Sequence, residues 1–353
     1  MIAPGSVIGV LGGGQLGRML ALAAASLGYR VHVFAPETEL PAADVSFAVS
    51  RGSYADTAAL AAFANAVDVI TYEFENVPST AVALLETLCA VHPCHEALDV
   101  AQDRCLEKQF VHQLGGKTAP YAAIDSLADL KAELARLGPE AILKTRRMGY
   151  DGKGQVRLGH PSEAAAAFRA LGGADLILEG LVRFDAEFSI IVARGADGCE
   201  RHYPAIENHH VGGILSESRV PAGVSADAVA AATSLVVRIA DELGYVGVLT
   251  CEFFATSEGP IFNEMAPRVH NSGHWTIEGA STSQFEQHIR AICGLPLGSV
   301  ELVAPTIGMR NLLGDDAQDW AAILAQSGAH LHLYGKATAE PGRKMGHVTT
   351  LTR

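Results

Sequence analysis

The stretch AILKTRRMGYDGKGQ, Ala141–Gln155, decides how this chain is read. Its first five residues, Ala141–Thr145, predict a strand that carries Lys144 near its end and runs into a glycine-rich turn. A turn holding Gly149, Gly152 and Gly154 follows and closes at Gln155. Glycines let backbone N–H groups turn toward phosphate oxygens, and Lys144 and Lys153 add positive charge. No Gly-Lys-Ser/Thr occurs, so this is not a Walker A loop. The plain alternative is an exposed basic hairpin. Four basic residues and three glycines around Asp151 would be an odd solvated turn, which favours a phosphate loop.

A second element lies downstream. Gly247–Phe254 and Pro260–Met265 read as two strands around Ser257-Glu258-Gly259. Hairpin spacing places Glu252 and Glu264 opposite each other, or within one register step. Like charges ~5 Å apart destabilise a hairpin, and a bound dication removes that repulsion. Hard carboxylate oxygens suit magnesium. The alternative is that one glutamate faces solvent. The polar run Pro267–His274, straight after an apolar strand, favours a site loop. Between the two elements, Ile177–Val182 reads as a strand ending with a backbone edge able to pair with adenine, and the acidic Asp185 and Glu187 beyond it could take ribose hydroxyls. Arg104, near the start of an amphipathic helix over Asp103–Leu114, reads as a phosphate contact or an ordinary surface arginine.

At the N-terminus, Ser6–Leu11 predicts a strand, Gly12-Gly13-Gly14 a turn, Leu16–Leu27 a helix and Arg30–Phe34 a second strand. This is the opening of a doubly wound α/β domain. Gly12–Gly17 satisfies G-x-G-x-x-G, and Glu37 follows about twenty residues on, so a nicotinamide-dependent oxidoreductase is one reading. A tight turn, or a loop for another phosphate, are the others. The 353 residues suit two or three domains. A net charge of -13 argues against nucleic acid as a partner. No basic n-region and no long apolar span is present, so a cytoplasmic enzyme away from membranes is expected. The six cysteines form no CxxC pair; free thiols are favoured over a zinc site at Cys89 and Cys94.

Together these residues resemble the ATP-grasp superfamily and, within it, the N5-carboxyaminoimidazole ribonucleotide synthetases. The strings carrying the resemblance are GGGQLGRM at Gly12–Met19, TYEFENVP at Thr71–Pro78, QDR at Gln102–Arg104, GYDGKGQ at Gly149–Gln155, ENHHVGGIL at Glu207–Leu215 and NEMAPRVHNSGHWT at Asn263–Thr276. Tyr334-Gly335-Lys336 and Gly342-Arg343-Lys344 add to it. The run APRVHNSGH is highly specific, whereas the first glycine loop is not. The resemblance implies a mixed α/β and α+β protein. A Rossmann-like pre-ATP-grasp domain would occupy residues 1–100, an ATP-grasp domain 101–295 with a lid at about 118–185, and a small β-rich domain 296–353.

The resemblance also implies a reaction. ATP phosphorylates bicarbonate, and the amine of 5-aminoimidazole ribonucleotide captures the carboxyl group. Arg104, Lys144 and the loop Gly149, Tyr150, Asp151, Gly152, Lys153, Gly154, Gln155 would hold ATP phosphates. Glu179, Gly180, Leu181 and Val182 would hold adenine, Glu187 ribose, and His210 and Asn263 would stand beside the nucleotide. Glu252 and Glu264 would ligate magnesium, two ions per site during turnover. Gln15, Leu16, Glu73, Tyr150, Asp151, Asn271, Lys336 and Arg343 would hold the ribonucleotide. Arg268 and His270 would hold bicarbonate or carboxyphosphate, with Lys336 among the catalytic groups and Asp151 as the base. A homodimer is expected, with a separate mutase consuming the product.

Two positions depart from the pattern. Met148 stands where many members have glycine, predicting a stiffer loop hinge. Ala266 stands where many other ATP-grasp enzymes have a third metal-site Asn, leaving Glu252 and Glu264 as the metal shell and counting against the biotin carboxylase branch. A formate-dependent glycinamide ribonucleotide transformylase of related architecture is the nearest rival, and a nucleotide sensor without catalysis is a further one. The Asn271–His274 run and the Glu73 string favour the carboxylating enzyme over the first, and the intact Glu252, Glu264 and basic loop favour it over the second.

Overall fold

A computed structural model describes residues 1–149 and 152–352. The chain opens with four strands, β1 (Val7–Leu11), β2 (Arg30–Ala35), β3 (Ala48–Arg51) and β4 (Val69–Tyr72). They form a parallel sheet in the order β3-β2-β1-β4. Helix α1 (Gln15–Ser26) crosses from β1 to β2 and α2 (Thr57–Ala64) from β3 to β4, and α3 (Ser79–Glu86) follows β4. All four residues of β4 are buried, as expected of a parallel strand covered on both faces.

Two short helices, α4 (His95–Ala101) and α5 (Arg104–Gln113), lead out of this layer. Asp103 caps α5 by accepting from the N–H groups of Cys105 and Leu106, which fixes Arg104 at the first helical position. A second, smaller sheet follows. It contains β5 (Tyr121–Ile124), β6 (Ala141–Thr145), β7 (Gln155–Leu158) and β8 (Leu176–Gly180), all antiparallel in the order β5-β8-β6-β7. Helices α6 (Leu127–Leu137) and α7 (Ala164–Ala170) bury its apolar face around Leu130, Leu134, Leu143 and Leu178. β6 carries Lys144 opposite Gln155, so the glycine loop is the turn of a hairpin.

The third sheet is the frame. Its strands are β9 (Ala186–Arg194), β10 (Glu200–His202), β11 (Ile206–Val211), β12 (Ile214–Val220), β13 (Gly247–Thr256), β14 (Gly259–Ala266), β15 (Thr306–Leu313), β16 (Ala329–Leu333) and β17 (Lys344–Thr352). The order is β14-β13-β9-β11-β12-β15-β17-β16, with β10 beside β9. The strands after residue 296 are therefore bonded into the same sheet through β12 and β15. Helix α8 (Ala226–Glu242) covers one part of it; α9 (Thr276–Gly279) and α10 (Gln284–Ile292) cover another, and α11 (Trp320–Leu324) packs near its end. One buried cluster runs from Met19 and Leu20 of α1 through Phe285 and Ile289 of α10 to Ile307 of β15, joining the N-terminal layer to the large sheet. Among the described residues no helix is long and apolar enough to cross a membrane, and all six cysteines are free thiols.

The β1–α1 junction shows why its glycines are there. Glu73, just past β4, accepts the N–H of Gly14 at 2.7 Å and that of Gly17 at 3.0 Å. The helix N-terminus that could cradle a phosphate is thus filled by a carboxylate of the chain itself. This is the physical reason the Gly12–Gly17 motif does not make a nicotinamide site. Gly12 has φ +95°, and a Cβ there would lie 2.7 Å from Glu73 Cγ. Gly12→Ala should therefore cost about 2–4 kcal/mol, from backbone strain and from displacing Glu73 off two buried donors. Thermal or urea unfolding measures this; an unchanged midpoint would show that the loop tolerates a side chain.

Candidate active site

β13 and β14 set Glu252 directly opposite Glu264, with a bulge immediately after. Arg104 answers one of the two charges. Its Nη1 donates to Glu264 Oε2 at 3.1 Å, and its Nη2 to the Gly149 carbonyl at 3.2 Å. One guanidinium from α5 therefore joins the acidic hairpin to the glycine loop. Burial opposes ionisation of Glu264, but the Arg104 and Lys144 charges hold its carboxyl below the ordinary range. For Glu252, burial and the Glu264 charge outweigh the opposing charges of His210 and Lys344 and push it up to about 7. Two opposed carboxylates, Glu252 mostly buried and Glu264 part-exposed, fit a divalent ion, which would remove their mutual repulsion.

The loop after β14 completes this face. His270 Nδ1 accepts from the Ser272 N–H, so its proton lies on Nε2, 3.7 Å from Glu252 Oε1. Burial and the neighbouring Arg268 hold the ring neutral, well below the ordinary histidine range. Its backbone is clamped at both ends by Gln284 at the start of α10: Gln284 Oε1 takes the His270 N–H and Gln284 Nε2 donates to the His270 carbonyl. Arg268 pairs with Glu75 and donates to the Val269 carbonyl. Asn271 and Asn311 exchange side-chain amide hydrogen bonds at 3.0 and 2.8 Å. The Asn271 amide is thereby a strut between this loop and β15 as well as part of the cavity wall.

On the lid side, Lys144 Nζ donates to Glu179 Oε2 at 2.8 Å, and both lie on adjacent strands, β6 and β8. Glu187 on β9 and His210 on β11 form an ion pair at 2.6 Å, and this outweighs burial to raise the His210 pKa. Gly152 packs against the turn between β11 and β12: a Cβ on Gly213 would lie 2.9 Å from Gly152 Cα. The VGG of the histidine string is thus a seat for the glycine loop. Tyr150 and Asp151 lie outside the described residues. Asn263 contributes its backbone carbonyl, which accepts from Lys108.

A cavity of about 770 Å³ unites these parts. Gln15, Leu16, Glu73, Arg104, Gly149 and Lys153 line it, as do Glu252, Glu264, Arg268, His270, Asn271, Lys336 and Arg343. Lys144, Gly152, Gly154, Gln155, Glu179–Val182, Glu187, His210 and Asn263 are outside its wall. At the far end Lys336 Nζ donates to the Lys344 carbonyl, and Arg343 pairs with Glu39 at 3.0 Å. Glu39 also accepts the Ala337 N–H at 2.6 Å. Sequence reading missed Glu39, Glu75, Glu107 and Lys108. Glu107 and Lys108 follow Arg104 by three and four positions on one helix, so they share its face; that spacing was an available signal. Nothing local marks Glu39, which acts across 304 residues of sequence.

The fold and this site define an ATP-grasp ligase. The ATP-grasp domain family matches residues 109–285, the ribonucleotide synthetase preATP-grasp domain 6–102, and the phosphoribosylaminoimidazole carboxylase C-terminal domain 308–353. An N5-carboxyaminoimidazole ribonucleotide synthase from Brucella melitensis is 49% identical over 99% of this chain and 97% of its own. The crystal structure of N5-carboxyaminoimidazole ribonucleotide synthetase from Thermus thermophilus has a TM-score of 0.91 at 48% identity, covering 98% of this chain and 93% of that one. The synthase from Aspergillus clavatus, in complex with ADP and 5-aminoimidazole ribonucleotide, also has a TM-score of 0.91, at 31% identity over 98% and 94%. The chain belongs to the N5-carboxyaminoimidazole ribonucleotide synthase family.

The opposed carboxylates carry a stability consequence. Glu252→Gln removes a buried charge and its repulsion from Glu264, so the ligand-free protein should unfold at a higher temperature near neutral pH, by on the order of 1 kcal/mol. The same variant should lose the extra stability that magnesium with nucleotide gives the wild type. Differential scanning fluorimetry with and without magnesium and ADP reads both. A variant still stabilised by the pair of ligands to the wild-type extent would remove Glu252 as a metal group.

Proposed function

We propose that this chain carboxylates 5-aminoimidazole ribonucleotide to its N5-carbamate, using ATP and bicarbonate, in purine synthesis. The observation that carries the proposal is the single cavity. Its wall carries Glu252, Glu264 and Arg104 together with Arg268, His270, Lys336 and Arg343. A phosphate-transfer site, an anion site and an acceptor site would then share one cavity, so that a labile acyl phosphate need not leave the protein between steps.

In this reading Arg104 and Lys144 neutralise the charge of the ATP phosphates, and the glycine loop gives backbone N–H groups to them. Glu252 and Glu264 would hold magnesium, which when bound would offset charge on the transferring phosphoryl group. Arg268, a fixed cation, and His270, neutral with its proton on Nε2, orient bicarbonate so that one of its oxygens takes the γ-phosphoryl group. The acceptor amine then attacks the carboxyl carbon of carboxyphosphate; the C–O bond to phosphate breaks, phosphate leaves, and the amine loses one proton. Asp151, by its place in the loop sequence, is the proposed acceptor of that proton. Lys336 and Arg343 hold the ribonucleotide phosphate, with Gln15 and Leu16 at the α1 end of the cavity.

An ATPase assay tests this directly. Turnover with bicarbonate should be strong when 5-aminoimidazole ribonucleotide is present, weak when it is omitted, and should collapse in Glu264→Gln. Stimulation by glycinamide ribonucleotide and formate would reverse the assignment. Asp151→Asn should spare ATP binding and slow carboxylation; unchanged turnover would remove Asp151 as the base.

The acceptor end gives a pH signature. Burial, then the charge of Arg343, pull Lys336 down to about 8. It is charged below that pH and neutral above it. A phosphate held by Lys336 is therefore lost as pH rises, and kcat/KM for the ribonucleotide should fall through about pH 8. Arginine stays charged across this range, so Lys336→Arg should abolish that limb while keeping measurable activity. A limb that persists in Lys336→Arg would assign it to another group.

A further inference from the structure

Lys108 takes no part in the reaction outlined above, yet it is a charged side chain only 1% exposed. It sits on α5, one turn after Arg104. Its Nζ lies 3.2 Å from Glu179 Oε1 and donates to the Asn263 carbonyl at 3.4 Å. Lys144, from the lid strand β6, takes the other oxygen of Glu179 at 2.8 Å. One buried carboxylate is therefore held by two lysines from different parts of the fold.

The two lysines are not equivalent. Lys144 lies at the mouth of the glycine loop, on the strand that leads into it. Lys108 is enclosed between the lid sheet and the acidic hairpin, and through Asn263 it is anchored next to Glu264. A phosphate group that engages Lys144 must draw its charge away from Glu179. A buried carboxylate left without a partner is strongly unfavourable, so nucleotide binding would be opposed unless a second cation stayed behind.

We infer that Lys108 is a positioning residue for nucleotide binding, a fixed counter-ion that keeps Glu179 paired while Lys144 turns to the phosphates. It acts through Glu179 and Lys144 and touches no substrate. The inference rests on the proposed role of Lys144 as a phosphate ligand.

Steady-state kinetics on the full chain, with ATP varied at saturating bicarbonate and ribonucleotide, test it. Lys144→Met serves as the reference: if its KM for ATP equals that of the wild type, the reading of Lys144 is at fault and the inference falls with it. If Lys144→Met raises that KM, the Lys108 series decides. Lys108→Met should raise KM for ATP at least about tenfold with kcat within about threefold, because Lys144 is then locked onto Glu179. Adding Glu179→Gln should release Lys144, so Lys108→Met with Glu179→Gln should return KM to within about threefold of Glu179→Gln alone. A KM unchanged in Lys108→Met, or a loss that Glu179→Gln does not relieve, overturns the inference. Should Lys108→Met fail to fold, the paired variant carries the test. It removes both members of a buried pair and should fold, with its KM near that of Glu179→Gln. An insoluble paired variant, or a KM more than about tenfold above that reference, refutes it.

Discussion

Glu252 and Glu264 face each other across β13 and β14, Glu252 mostly buried and Glu264 open to the cavity. Much of the surrounding structure can be understood as an answer to their repulsion. Arg104 is fixed at the start of α5 by the Asp103 cap and reaches Glu264 from there. Arg104 also holds the loop by the Gly149 carbonyl, so the cation that steadies the acidic pair decides where the phosphate loop rests. Lys108, one helical turn on, carries the compensation to Glu179 and through it to Lys144. Glu107 lies between them on the same face and accepts the Met265 N–H at 2.6 Å, pinning β14 beside its own glutamate.

A protein of net charge -13 that binds anionic substrates cannot rely on long-range attraction. It relies on exchange. In the ligand-free chain several of the groups proposed to take substrate are already held by a carboxylate: Lys144 by Glu179, Arg268 by Glu75, Arg343 by Glu39, and the α1 N-terminus by Glu73. These pairs keep buried cations solvated by protein before substrate arrives. Selectivity follows, because only an anion that fits several of these groups at once can match the partners it displaces.

How much of this was legible depends on the distance over which each contact acts. β6 runs into its glycine-rich turn, as the sequence suggests, and Glu252 meets Glu264 because a short hairpin turn leaves little choice of register. Local pattern carried both. The glycine motif at Gly12 read equally well as a nucleotide cradle, since nothing nearby shows that Glu73, about sixty residues on, occupies it. The resemblance marked the strands after residue 296 as a small β-rich domain. Only the pairing of β12 with β15 shows that they extend the main sheet and bring Lys336 and Arg343 to the cavity on a rigid frame.

Met148 joins these lines of reasoning. Its backbone lies at φ 63°, in the left-handed region, and its side chain is exposed. A methionine there costs roughly 1–2 kcal/mol, and an exposed side chain has little packing with which to offset it. The compensation comes from the next residue, whose carbonyl Arg104 holds. The sequence suggested a stiffer hinge at this position. The structure shows the left-handed backbone at Met148 followed directly by a carbonyl bound by the guanidinium that also binds Glu264. In the proposed mechanism, a ligand that draws Arg104 toward phosphate would loosen its hold on the Gly149 carbonyl as well as on Glu264.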